Sequence, residues 1–412
     1  MKKTENGTPW TYDELVVLYN LKQAKKDNKD IADIMNCSVK CRDYTADIVR
    51  KKYSGTNWEA FLKQAENKEN NSDKNSHESE KQAIVETTLA NQERIIRREN
   101  ARTSLIIDAL KSSIARMKPP KKSELIPNIK PKTKYTPEHA GVIVSDMHIG
   151  ASFSLEDTGG LSEYNLNIFK RRLNKLKESV IEIANRHRHV YELPHLHVFC
   201  LGDIVAGMNE AGEWSSVYID LDIYDQMFEG VAGLRDTIAC WARLFPKITF
   251  HGVYGNHGRI GRRGTHKIST NWDRIIYNFL QQSLKDYDHI EWNLPQAWWT
   301  QNTIQNHNFY MTHGDGIKSS MGIPYYGIER AERNILGLMK EKPHYLLVGH
   351  FHNPAELLTN SSRIMMNGSF MGGDMYSLRD LFRSCKPEQK MFGIHPRKGI
   401  TWTYNIHLEG ED

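Results

Sequence analysis

The stretch "YLLVGHFHNP", Tyr345 to Pro354, ends an apolar run with two histidines two positions apart. Apolar residues lead into Gly349, then come His350 and His352, then the turn signal Asn353-Pro354. In a strand, residues i and i+2 face the same side. Two imidazoles on one face at a strand's end are a candidate pair of metal ligands, or else surface histidines at a loop. The other strand ends decide between the two.

From about Tyr135 the chain alternates between strand-like and helix-like segments. "AGVIVSDMHIG" reads as a buried strand ending in Asp146 and His148, again at i and i+2. "HLHVFCLGD" ends in Asp203, "KITFHGVYGNH" in Asn256 and His257, and "HNFYMTHGD" in His313. "RIMMNGS" and "ITWTYNIHL" read as further strands. Amphipathic helices separate them: "NLNIFKRRLNKLKESVIEIA", "DLDIYDQMFEGVAGLRDTIACWARLF" and a segment over 271–285. Such alternation makes a layered α/β domain. In these sheets sites collect outside the carboxyl ends of the strands, so ligands spread over about two hundred positions can converge. Each residue alone is ordinary. An Asp after a strand is usually a cap or turn former, and His313 alone suits a satisfied core histidine.

The order Asp-x-His, Gly-Asp, Gly-Asn-His, His, Gly-His-x-His resembles the calcineurin-like metallophosphoesterases over residues 136–375. The resemblance implies a four-layer α/β sandwich, two mixed β-sheets flanked by helices, with two divalent metals at one edge. Carried over motif by motif, it implies that Asp146, His148 and His352 hold one metal and Asn256, His313 and His350 the other. Asp203 would bridge both, and His257 would face the scissile phosphate and protonate the leaving oxygen. Mixed nitrogen and oxygen donors without thiolate suit Mn²⁺ first, with Fe, Zn or Ni as alternatives.

Two positions depart from the family pattern. Asp203 lacks a second acid in the residues after it, and Gly258-Arg259 follows "GNH" where relatives carry an acid that orients the catalytic histidine. Asp315 is a candidate substitute. Arg259, Arg262, Arg263 and Lys267 crowd the loop beyond His257, either as a solvated loop or as a clamp for a polyanion, because arginine binds phosphate bidentately. "GNHGR" and "NGSFMGGDMY" are similar to phage-encoded, DNA-repair exonuclease-like members.

The front of the chain differs. In residues 9–62 a capping box at Thr11 and Glu14 opens a helix, and two more short helices follow. Trp10, Leu18, Ile31, Ile34, Val49 and Tyr53 are the candidate core. An early Trp, an "IA" second helix and a basic third helix resemble the Myb/SANT-like helix-turn-helix family, which implies nucleic-acid contacts from Arg42, Arg50, Lys51 and Lys52. A protein-docking module is the alternative. The expected divisions are 1–63 for this domain, 64–80 for a disordered linker, 81–134 for a helix and basic connector, and 135–412 for the hydrolase. A broken apolar stripe over 81–117 could serve self-association.

Residues 1–140 hold 27 Lys/Arg against 20 Asp/Glu, so the net charge of +5 splits into +7 in front and −2 behind. The basic excess lies outside the histidine-rich part, which suggests an anionic partner for the front half. Five scattered cysteines argue against a disulfide framework. No apolar run reaches a membrane-span length and the start has no apolar signal core, so the expectation is a cytoplasmic protein with no membrane partner. The favoured reading is a dimetal phosphodiesterase acting on nucleic acid, DNA first. The alternatives are a phosphatase for phosphoprotein, nucleotide or cyclic nucleotide, and a DNA-binding or assembly protein with an idle hydrolase domain.

Overall fold

The computed structural model describes residues 10–38, 44–69, 74–118, 120, 135–208, 218–261, 266–320 and 324–409. The chain divides into a unit ending at Leu105 and a unit running from Ile106 to Asp412.

The larger unit is an α/β sandwich of two mixed sheets. One sheet has the order β11-β10-β1-β2-β3-β4. Its centre is four parallel strands: β1 His139–Val144, β2 His195–Cys200, β3 Lys247–Gly252 and β4 Ile290–Asn293. The helices α6 Leu166–Arg188, α7 Ile223–Ala242 and α8 Trp272–Ser283 connect them. The side chains of Asn165, Asp222 and Asn271 cap these helices by accepting a backbone N–H in the first turn. On α6, Leu173, Leu176, Val180 and Ile183 recur at helical spacing and are buried. β10 Glu388–His395 and β11 Gly399–His407 complete the sheet in antiparallel fashion.

The second sheet has the order β5-β6-β7-β9-β8, from β5 Trp299–Ile304, β6 His307–Thr312, β7 Tyr345–Val348, β8 Ala355–Leu358 and β9 Arg363–Met366. Helix α9 Tyr325–Leu338 links β6 to its parallel neighbour β7, and α10 Met375–Arg379 follows β9. Between the sheets, Ile143, Phe199, Leu201, Phe309, Leu347 and Phe392 form one apolar cluster. The rings of Phe199 and Phe392 stack 5.8 Å apart. Gly141 on β1 makes room for them, since a Cβ there would lie 2.6 Å from the Phe392 ring.

Several elements escaped the sequence patterns. β4, β5 and β8 are short or half-exposed, so alternation is weak. β10 is buried along its whole length although it begins Glu-Gln-Lys. Its polar side chains are satisfied by pairing rather than by water, as in the Lys390 Nζ bond to Asn405 Oδ1 at 2.7 Å.

The front unit contains α1 Tyr12–Gln23, α2 Asn28–Ser38, α3 Ala46–Gly55 and α4 Trp58–Glu69. Leu18, Ile31, Ala32, Met35, Tyr44 and Val49 are its buried core, flanked by Trp10, Leu21, Tyr53 and Trp58. Thr11 and Glu14 form the capping box. Glu14 is itself buried, and its carboxylate accepts the Tyr44 hydroxyl.

The segment expected to be an unstructured linker differs from that expectation. Helix α4 runs through Glu69, and α5 Lys74–Arg116 begins inside it; residues 70–73 lie outside the described residues. The stretch lacks large apolar side chains but is rich in Glu, Lys, Ala and Gln, which favour helix on their own account. The boundary expected at residue 135 also moves. Leu110 and Ile114 at the end of α5 belong to the core of the larger unit, and Tyr224 donates to Ser113 Oγ at 2.7 Å. Part of the stripe considered for self-association is therefore used within the chain, while Ile96 stays 54% exposed. None of the described helices is long and apolar enough to cross a membrane.

Candidate dimetal centre

At the carboxyl ends of the strands the backbone turns sharply. Asp146, His148, Asp203, His350 and His352 all have left-handed φ, between 46° and 68°. Such backbone costs about 1–3 kcal/mol per residue and persists only where its surroundings fix it. Asp and His tolerate it better than most side chains. Hydrogen bonds do the fixing here. Met147 N and His148 N donate to Asp203 O at 2.8 and 3.1 Å, and Asp146 N donates to Gly202 O at 3.0 Å. The two sheets are tied together at the same place, because His350 N donates to Asp146 Oδ1 at 3.0 Å.

These turns gather the side chains that the strand ends single out. Asp146, His148 and His352 place donor atoms within 4.8 Å of one another. Asp203, His313 and His350 do the same, and Asp203 also groups with His148 and His257. His148 Nε2 and His352 Nε2 are 3.0 Å apart. His313 Nε2 lies 3.0 Å from both Asp203 Oδ2 and Asn256 Oδ1. Asp203 is 1% exposed and sits where the two groups meet.

The residues fit cations. Asp146 Oδ2 is buried with no hydrogen-bond partner, an expensive state for a carboxylate oxygen unless a cation faces it. Burial drives His148 and His350 to the neutral, ligand-competent form, His350 with a pKa near 4. Burial also opposes charge on His313, but the Asp203 carboxylate outweighs it and raises the imidazole's pKa. Burial opposes charge on Asp203 in turn, and His313 and His257 overcome it. Two mutually stabilised charges stand where two cations would otherwise balance the site.

His257 lies against this cluster, with its ring centroid 4.5 Å from that of His148. Asp315 was the expected orienter of His257, and it is not. The Asp315 carboxylate pairs with Arg259 at 2.5 Å, while His257 Nδ1 donates to the Ala206 carbonyl at 3.0 Å. A backbone carbonyl replaces the side-chain acid of the family pattern, and it puts the proton on Nδ1 of the neutral ring. His257 N also donates to Asp203 Oδ1 at 2.8 Å.

Two carboxylates escaped the sequence reading. Asp273 is fully buried and accepts the backbone N–H groups of Asp203, Ile204 and Gly255 at 2.9, 3.1 and 2.9 Å. Burial, reinforced by the Asp203 charge, raises its pKa to about 6. Asp374 Oδ2 stands 3.7 Å from His352 Nδ1. "NWD" and "GGDMY" read locally as a helix start and a loop, so neither motif signals these roles.

Of the residues expected to bind phosphate, Arg259 lies beside the centre and is held by Asp315. Arg262 and Arg263 lie outside the described residues, as does Arg42 in the front unit. On α3, Arg50 and Lys51 are exposed, Arg50 pairs with Asp47 at 2.8 Å, and Lys52 lies 5.7 Å from the Trp10 ring centre.

No family model matches the chain, and no curated protein matches it. Solved structures do. An archaeal phosphodiesterase aligns over 65% of this chain and 99% of its own, with 12% identity and a TM-score of 0.29. The hypothetical protein PH1004 of Pyrococcus horikoshii aligns over 66% and 89%, with 10% identity and a TM-score of 0.33. Zinc-complexed Vps29 of Entamoeba histolytica aligns over 66% and 99%, with 10% identity and a TM-score of 0.26. The functional reading rests on the side chains.

Proposed function

We propose that the protein is a dimetal phosphodiesterase that hydrolyses nucleic acid, DNA first. What carries the reading is Asp203, one buried carboxylate shared between two groups of imidazole and oxygen donors. Asp146, His148 and His352 would hold one divalent cation, and Asn256, His313 and His350 the other. When bound, two such cations supply Lewis-acid activation of water and neutralise charge on the phosphate oxygens. His257 is the proton donor to the leaving oxygen, with the Ala206 carbonyl fixing its ring. Arg259, held in place by Asp315, offers two parallel N–H groups to a phosphate.

A nucleic-acid substrate is supported by this arginine, by the excess of 27 basic over 20 acidic residues before position 141, and by the exposed Arg50 and Lys51 on α3. The test is hydrolysis by the full chain with Mn²⁺ of bis-p-nitrophenyl phosphate, p-nitrophenyl phosphate, single- and double-stranded DNA, and RNA. Cleavage of the diester and of DNA supports the reading. Activity confined to the monoester would overturn it in favour of a phosphatase, and no activity would favour an idle domain.

A further inference from the structure

A second histidine cluster lies at the other end of the first sheet. β1 and β2 pair in parallel with Ala140 opposite Leu196, which sets His139 beside His195 at their amino ends. His197 follows on the same face as His195. That face is the one carrying Phe199 and Leu201 into the space between the sheets. Six residues of strand separate His197 from Asp203, so the cluster stands roughly 20 Å from the dimetal centre. Nothing in the proposed hydrolysis uses it.

The three imidazoles place donor nitrogens within 4.8 Å of one another. His139 Nδ1 and His197 Nε2 are 3.0 Å apart, the same separation as His148 Nε2 and His352 Nε2 in the dimetal centre. Nitrogens on one tetrahedral zinc, with bonds of about 2.0–2.1 Å, lie near that distance from each other. The remaining nitrogens of the pair on β2 are already held. His195 Nε2 is 2.8 Å from Thr249 Oγ1, which donates in turn to Glu291 at 3.2 Å. His197 Nδ1 is 3.2 Å from His251 Nε2, and Asn293 backs His251 at 3.2 Å. Outer partners of this kind fix the tautomer of a metal-binding histidine and aim its other nitrogen.

We propose that His139, His195 and His197 form a third metal site, selective for a zinc-class cation and completed by water. Three neutral nitrogens without a carboxylate suit Zn²⁺, Co²⁺ or Ni²⁺ and not Mn²⁺ or Mg²⁺. Burial keeps the rings neutral at pH 7, with pKa values near 4 for His139 and near 3 for His195. Lys247 is the nearby cation, and its pairing with Glu291 at 2.7 Å offsets its charge. His195 and His197 are buried, while His139 is only partly so and gives the cation access. The rings of His195 and His197 stack 4.0 Å apart, so capture turns one of them about χ2.

The test is metal content of the full chain after dialysis against Mn²⁺, Zn²⁺ or Co²⁺, with Co²⁺ absorption in the visible. The expected result is one more equivalent of Zn²⁺ or Co²⁺ than of Mn²⁺. That equivalent is lost in His139→Gln and in His197→Gln and kept in Asp203→Ala, so failure of the dimetal reading leaves this outcome unaffected. His139→Gln lies at the partly exposed edge of the sheet and serves if His197→Gln does not fold. Equal Zn²⁺ and Mn²⁺ counts would overturn the proposal, as would an extra equivalent that survives in His139→Gln. Either result would make the cluster a hydrogen-bonded polar layer only.

Discussion

The Asp273 carboxylate accepts the backbone N–H of Asp203 at 2.9 Å and, with the same oxygen, that of Gly255 at 2.9 Å. One buried group therefore clamps the two loops that carry Asp203 and Asn256. Asp273→Ala leaves buried N–H groups unsatisfied, at about 1–3 kcal/mol each. Loss of an outer partner typically weakens metal binding about 10–100-fold. Calorimetric titration with Mn²⁺ and urea unfolding should show both effects, with Asp273→Asn intermediate. Unchanged Mn²⁺ affinity in a folded Asp273→Ala protein would remove the clamp from the site.

His257→Ala should keep the metals and lose turnover. Proton donation is worth about 10²–10⁴-fold on a poor leaving group and much less on an activated aryl ester. Comparison of DNA with bis-p-nitrophenyl phosphate reads the difference. Equal losses on the two substrates would take His257 out of the acid role.

The position of α5 sets where the chain can be shortened. A protein starting at Ile106 keeps Leu110 and Ile114 and should still hydrolyse a small diester. One starting at residue 135 uncovers the surface those side chains fill. Losing a buried Leu or Ile side chain costs about 2–5 kcal/mol, so its melting temperature should fall. If the front unit contacts DNA, the Ile106 protein should also bind DNA with a shallower salt dependence, since each phosphate neutralised contributes a slope of about 0.9. Equal salt slopes for the two lengths would assign residues 1–105 to another role.

His251 predicts a pH effect on stability. It is buried beside His197, Asn293 and Phe199, and burial depresses its pKa to about 3. The unfolded imidazole binds a proton below about pH 6.5, whereas the folded one stays neutral until far lower. Its contribution is therefore fully present above pH 6.5 and is lost as pH falls towards 3, reaching about 2 kcal/mol lost at pH 5. Urea midpoints of the metal-free protein between pH 7 and 5 should fall less steeply in His251→Gln than in the natural chain. Parallel curves would show that His251 is not desolvated.

The layered α/β class was legible because strand and helix periodicities are local. "AGVIVSD" and "NLNIFKRRLNKLKESVIEIA" state their elements without help from the rest of the chain. The residues of the candidate centre were legible for a related reason. The turn that ends a strand needs residues tolerant of left-handed φ, and Asp146, His148, Asp203, His350 and His352 are both those residues and the donors. What tertiary structure alone decided is who partners whom. Asp273 is a helix-start residue until folding brings Asp203 N and Gly255 N to its carboxylate. Asp315 looks available to His257 until Arg259 takes it and the Ala206 carbonyl takes the imidazole. His139, His195 and His197 are polar interruptions in two strands until parallel pairing sets them side by side. Periodicity is a property of neighbours in the chain, whereas hydrogen-bond partners and shared cations are properties of neighbours in space, and those depend on how the strands pair and the sheets pack.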